Sequence, residues 1–118
     1  MLIDRKYALD ASAALYAAAS EVIPGGVGSN DRGLVHPHPI FVSHGLGSHV
    51  WDVDGNQYVD YLLAYGPLVL GHAHPALIDA VQRQLGLGSV FGIPHRLEVE
   101  VGELLVDLIP SIDMVRFS

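Results

Sequence analysis

The chain has 118 residues, half of them hydrophobic and only 16% charged, with a formal net charge of -7 spread along the sequence. That balance fits one domain, or part of a larger one, with a moderate core, and it argues against nucleic acid as a partner. The absence of cysteine excludes a disulfide framework, a thiolate metal site and a cysteine nucleophile, while the charged start Asp4-Arg5-Lys6 and the lack of an apolar run near ~18 residues point to a soluble, cytoplasmic chain without a membrane partner.

Strong helix formers run from about Asp4 to Val22, and Leu9, Ala13, Tyr16, Ala17 and Ser20 share one small, alanine-rich face. Pro24-Gly25-Gly26 ends that helix, and the stretch to Pro39, with His36-Pro37-His38-Pro39 in it, reads as a loop. Three short strands are expected over Ile40 to Ser43, His49 to Asp52 and Gln57 to Leu63, with Asp54-Gly55 as the turn between the last two. Pro75 to Leu85 places Leu77, Ile78, Val81 and Leu85 on one helical stripe, with proline near its start and Gly86 or Gly88 near its end. A second amphipathic helix is expected from Arg96 to Ile109, carrying Leu97, Val101, Leu104, Leu105 and Leu108, and Pro110 stops it. Met114 to Phe117 reads as a strand beginning where the sequence ends, the pattern of a truncated chain. The fold class that follows is α+β: a helix, a small antiparallel sheet and two helices.

Several chemistries can be weighed on spacing alone. His36 with His38, and His72 with His74, each offer two imidazoles but no third ligand at a recognisable spacing, so turn histidines bonded to neighbouring backbone are preferred over a metal site. Asp52-Val53-Asp54-Gly55-Asn56 opens like a calcium loop, but glycine stands fourth instead of sixth and Leu63 stands where a bidentate glutamate is required. Gly66 to Gly71 lacks the lysine and spacing of a phosphate loop, and Ser29, Ser43 and Ser89 sit in no nucleophile elbow. Arg32, alone in a glycine-rich loop beside Ser29 and Asn30, can fork onto a small carboxylate, the alternative being a surface pair with Asp31 or a nearby acid. Tyr65, before Gly66-Pro67, offers an aromatic face to a planar ligand, although the residues alone favour core packing there.

The order of motifs goes further than any one of them. Ile23-Pro24-Gly25-Gly26-Val27, Trp51-Asp52-Val53-Asp54-Gly55-Asn56, Tyr58-Val59-Asp60-Tyr61, Tyr65-Gly66-Pro67, Leu70-Gly71-His72-Ala73-His74-Pro75, and Leu97-Glu98-Val99-Glu100 with Met114-Val115-Arg116-Phe117 resemble, in this register, the opening of class III pyridoxal-phosphate aminotransferases, near the glutamate-1-semialdehyde aminomutase branch. The resemblance covers residues 20 to 118 and implies the N-terminal part of a homodimeric fold-type I enzyme that uses pyridoxal 5'-phosphate. Residues 1 to 75 would then belong to the small domain, and residues 76 to 118 would enter the large cofactor domain. It implies that Arg32 receives the substrate carboxylate, that Ser29 lies beside the substrate and that Tyr65 flanks it near the cofactor. The cofactor-holding lysine and the aspartate facing the pyridinium nitrogen lie further along in that family, Ser118 stands at the threshold of the phosphate-holding turn, and Lys6, the chain's one lysine, precedes every matched motif. The chain by itself is therefore expected to be inactive.

Two departures bear on the substrate. Gly28-Ser29-Asn30-Asp31-Arg32 stands where aminomutases read closer to N-S-P-V-R, and Ala64-Tyr65-Gly66-Pro67 stands where they read S-W-G-P. A β-amino acid, a D-amino acid or another amine stays open beside an amino-aldehyde, because loss of an indole reshapes a pocket. From a different class, the alanine-rich first helix also suits a non-catalytic module that docks onto a partner protein.

Overall fold

The structure, a computed structural model, describes residues 7–117. Two compact units divide the chain, Met1–Ile78 and Asp79–Ser118. The first holds helix α1 (Asp10–Val22), strands β1 (Val42–Leu46), β2 (His49–Asp52) and β3 (Gln57–Val59), and the start of helix α2 (Pro75–Leu85). The second holds the rest of α2 and helix α3 (Arg96–Leu108).

Antiparallel pairing gives the sheet order β1-β2-β3, with Gly45 opposite Val50 and Val50 opposite Tyr58. The turn between β2 and β3 is built around Asp52, which is 2% exposed. Its carboxylate accepts the N–H groups of Asp54 and Asn56 at 3.0 and 2.8 Å, the Asn56 side-chain amide at 2.8 Å and the Tyr58 hydroxyl at 2.8 Å. An aspartate that folds its own backbone into a turn explains Asp-Val-Asp-Gly-Asn without calcium. Burial pushes the Asp52 carboxyl upward, but the bonds from Asn56, Tyr58 and Asp54 outweigh it and hold the group below its ordinary value. The same environment, burial first and then the Asp52 carboxylate, pushes the Tyr58 phenol up to about 12.

Helix α1 begins at Asp10 rather than near Asp4, and residues 4–6 of the expected helix lie outside the described residues. The start is set from far along the chain. Asp54 accepts the N–H groups of Ala11 and Ser12 at 2.7 and 2.9 Å across 43 and 42 residues, so a carboxylate on the β2–β3 turn satisfies the free donors of the first helical turn. Ser12, fully buried, accepts the Phe41 N–H at 3.3 Å, and the Asn56 amide donates to the Ala8 carbonyl at 2.6 Å. Polar bonds, not a greasy core, tie helix to sheet. Among the described residues, no aliphatic or aromatic side chain is fully enclosed.

Three strand expectations need correction. β1 lies at Val42–Leu46 instead of Ile40 to Ser43, because its extent follows the ladder with β2 and an irregularity between Val42 and His44. β3 ends at Val59 instead of Leu63; Asp60 makes one last bond to the Ser48 carbonyl at 2.8 Å and the chain then turns away. Met114 to Phe117 forms no strand, since no ladder partner stands beside it among the described residues.

In the second unit, α3 starts on a reciprocal cap. His95 Nδ1 accepts the Leu97 N–H at 3.2 Å while Glu98 accepts the His95 N–H at 3.0 Å. The helix ends at Leu108, one residue before the expected Ile109. The apolar stripes of both helices are open to solvent, with Leu85 57% and Leu104 54% exposed.

Candidate substrate-facing loops

Two loops of the first unit carry the three residues expected to meet a substrate. The first runs from the end of α1 to β1. Ile23 closes α1 by donating to the Ala19 carbonyl at 2.7 Å, and the chain folds back so closely that a Cβ on Gly26 would stand 2.6 Å from both the Tyr16 ring and Ser20 Oγ. Only glycine fits that approach, at φ 69°. Beyond it Ser29 is extended and exposed, and its carbonyl accepts the Arg32 N–H at 3.1 Å to open a short 3₁₀ turn over Asn30–Leu34. Arg32 is exposed on that turn. The ion pairs among the described residues are His72 with Asp60 and Arg96 with Glu100, so the alternative of an Arg32–Asp31 pair is not adopted.

The second loop runs from Asp60 to His74. Leu63, Ala64 and Tyr65 all take left-handed backbone, with φ 51°, 52° and 65°, and Gly66 follows at 120°. Each such non-glycine residue costs about 1–2 kcal/mol, so the turn persists only if its surroundings dictate it. Asp60 supplies part of that: Oδ1 accepts the N–H groups of Leu62 and Leu63 at 2.8 and 3.1 Å, and Oδ2 accepts from His72 Nε2 at 2.8 Å. The His72 hydrogen bond first, then the Leu63 amide, hold the Asp60 carboxyl below its ordinary value against a desolvation that acts upward. His72 is anchored in turn by paired backbone bonds with Gly47 at 2.9 and 2.8 Å.

Tyr65 is 62% exposed, which overturns the core packing that the residues alone favoured. The structure joins Ser29 to Arg32 through backbone; among the described residues no hydrogen bond or ring contact links Tyr65 to either. Spacing against other polar residues does not point to Asp60; its signal is local, an acid two residues before the amide it captures. One histidine of each pair makes a structural bond, while the buried His74 Nδ1 has no partner among the described residues. His38 Nδ1 lies 3.0 Å from the Pro39 carbonyl, His72 meets Asp60, and no group of three metal-ligating side chains occurs among the described residues. Ser118 and Lys6 lie outside the described residues. The described residues contain no lysine, so covalent attachment of pyridoxal phosphate does not fit them. What they do present is an uncommitted guanidinium on one loop and an open phenol on another.

The class-III aminotransferase family profile matches residues 31–118. Glutamate-1-semialdehyde 2,1-aminomutase of Chloroflexus aurantiacus is 54% identical over 108 residues, which is 90% of this chain and 24% of that protein. An omega-transaminase from Sphaerobacter thermophilus superimposes with a TM-score of 0.85 at 34% identity, over 98% of this chain and 25% of that one. A transaminase solved with PLP bound superimposes with a TM-score of 0.78 at 42% identity, over 85% of this chain and 23% of that one. The chain thus spans about a quarter of the length of the relatives it matches.

Proposed function

Because this chain belongs to the class-III aminotransferases and carries the helix, small antiparallel sheet and following helices of a fold-type I transferase, we propose that the protein containing it moves an amino group on a small amino acid or amino-aldehyde with pyridoxal 5'-phosphate as cofactor. The observation that carries this reading is the 54% identity to an aminomutase across 90% of the chain. When bound, the cofactor supplies the electron sink for that chemistry. The chain's own part is recognition. Arg32, exposed and outside the two ion pairs among the described residues, forks onto the substrate carboxylate. Ser29, one 3₁₀ turn before it, lines the same loop, and Tyr65 walls the substrate from the second loop.

In this reading residues 1 to 75 form part of the small domain and residues 76 to 118 enter the cofactor domain of a cytoplasmic homodimer. No helix among the described residues is long and apolar enough to cross a membrane. The exposed stripes of α2 and α3 are then the faces that the rest of the enzyme covers.

The experiment is conversion of glutamate 1-semialdehyde by the intact enzyme without any added amino acceptor, beside a panel of β-amino acids, D-amino acids and simple amines with a keto-acid acceptor. Turnover without acceptor identifies an internal transfer, and turnover only with acceptor identifies a transaminase. No amino transfer on any of them would overturn the reading.

A further inference from the structure

We propose that Asp60 is the positioning residue for Tyr65 and that His72 is its strut, so that the direction of the Tyr65 ring is set by a carboxylate five residues before it. The inference rests on the reading of Tyr65 as a wall of the substrate site. Side-chain packing does not hold the Tyr65 turn, since Leu63 and Tyr65 are both exposed. Backbone preference does not hold it either, because Leu63, Ala64 and Tyr65 all sit in the left-handed region that such residues avoid. Hydrogen bonds remain: within the turn the Tyr65 and Gly66 N–H groups donate to the Leu62 and Leu63 carbonyls, each at 2.9 Å, and the residues that carry those carbonyls are in turn held by Asp60. The Leu62 and Leu63 amides point at one oxygen of Asp60, at 2.8 and 3.1 Å, and this is where the chain leaves the sheet and enters the turn.

One carboxylate can orient a turn only if it is itself oriented, and the second oxygen meets that need. It takes His72 Nε2 at 2.8 Å, with the His72 backbone fixed to Gly47 in both directions. The His72 ring lies so close over β1 that a Cβ on Gly45 would be 2.5 Å from it. The line of support therefore runs from the β1–β2 hairpin through His72 and Asp60 to the amides of Leu62 and Leu63, and ends at Tyr65. The Asp60 side chain is only 13% exposed, so water competes poorly for those bonds. Asp60 and His72 touch no substrate in this scheme. Their influence on turnover passes through Tyr65.

The test uses the intact enzyme labelled with fluorotyrosine, the Tyr65 resonance being identified by its loss in Tyr65→Phe. Asp60→Asn keeps one oxygen for the amides but disturbs the His72 contact, and His72→Gln removes the strut while leaving Asp60 in place. Both variants should move the Tyr65 resonance while the other tyrosine signals stay put, and His72→Gln serves alone if Asp60→Asn does not fold. An unmoved Tyr65 signal in folded variants overturns the proposal. Kinetics supply the second arm. Asp60→Asn should lower kcat/KM about tenfold or more, yet change it by less than about twofold when Tyr65 is already alanine. An equal loss in both backgrounds would mean a general structural role and also overturns the proposal. Should the resonance move while Tyr65→Ala leaves kcat/KM intact, the positioning stands and the reading of Tyr65 as a substrate wall is what fails.

Discussion

Arg32 is the residue on which the recognition argument turns, because a guanidinium offers two parallel donors to a carboxylate where an ammonium offers a point charge. Arg32→Lys in the intact enzyme should lower kcat/KM for a carboxylate-bearing substrate by about tenfold and Arg32→Ala by about a hundredfold, on a scale of ~1.4 kcal/mol per decade. An amine without a carboxylate should be turned over equally by wild type and variants, which steady-state kinetics on the two substrates will check. A second residue-scale prediction concerns Asp52, 2% exposed and accepting from Asp54, Asn56 and Tyr58. Asp52→Ala strands those donors and should cost about 2 kcal/mol or more of stability, read as a lowered urea midpoint.

At the scale of elements, α1 and the sheet depend on ionisation, and the signs can be worked out. Asp52, Asp54 and Asp60 all have carboxyls held below the ordinary 3.8. For Asp54 desolvation is the largest single influence and acts upward, and the bonds from Ala11 and Ser12 together with the charge of His38 outweigh it. A depressed folded value means stability that is present above 3.8 and lost as pH falls through the folded value. The helical signal of α1 should therefore fade below about pH 4, and Asp54→Asn should flatten that acid limb of a pH-resolved melting series. Tyr58 has the opposite sense. Its phenol is raised from 10.0 to about 12, so its contribution is present below 10.0 and lost as pH rises toward 12, and Tyr58→Phe should remove that alkaline decline. These elements also show what a sequence can reveal. α2 lies at Pro75–Leu85, as its stripe and its flanking proline and glycines indicate, because periodicity and punctuation are local. The start of α1 is set by Asp54 and the extent of β1 by its ladder, and both are partners that no local window contains. The left-handed turn under Tyr65 is only half legible: Asp60, two and three residues before the amides it captures, is a local turn signal, whereas the left-handed backbone is not favoured by Leu63-Ala64-Tyr65 themselves and the His72 support lies twelve residues on.

For the whole molecule, the decisive feature is apolar surface that the described residues leave open along α2 and α3. Contiguous apolar stripes of this kind bind hydrophobic dyes or other protein. The 118-residue chain alone should bind such a dye, and Leu85→Glu with Leu104→Glu should reduce the binding; on the proposed reading, in which the rest of the enzyme covers those faces, the same pair in the intact enzyme should lower the melting temperature. The chain spans about a quarter of the length of the relatives it matches, and the central claim of the proposed function is that the protein containing it holds pyridoxal phosphate and uses it to move an amino group. The most direct measurement is the visible absorption spectrum and intact mass of that purified enzyme before and after borohydride. The account predicts a cofactor band that borohydride bleaches, leaving a pyridoxyl mass increment on the protein; a folded, colourless enzyme that takes up no added pyridoxal phosphate would contradict it.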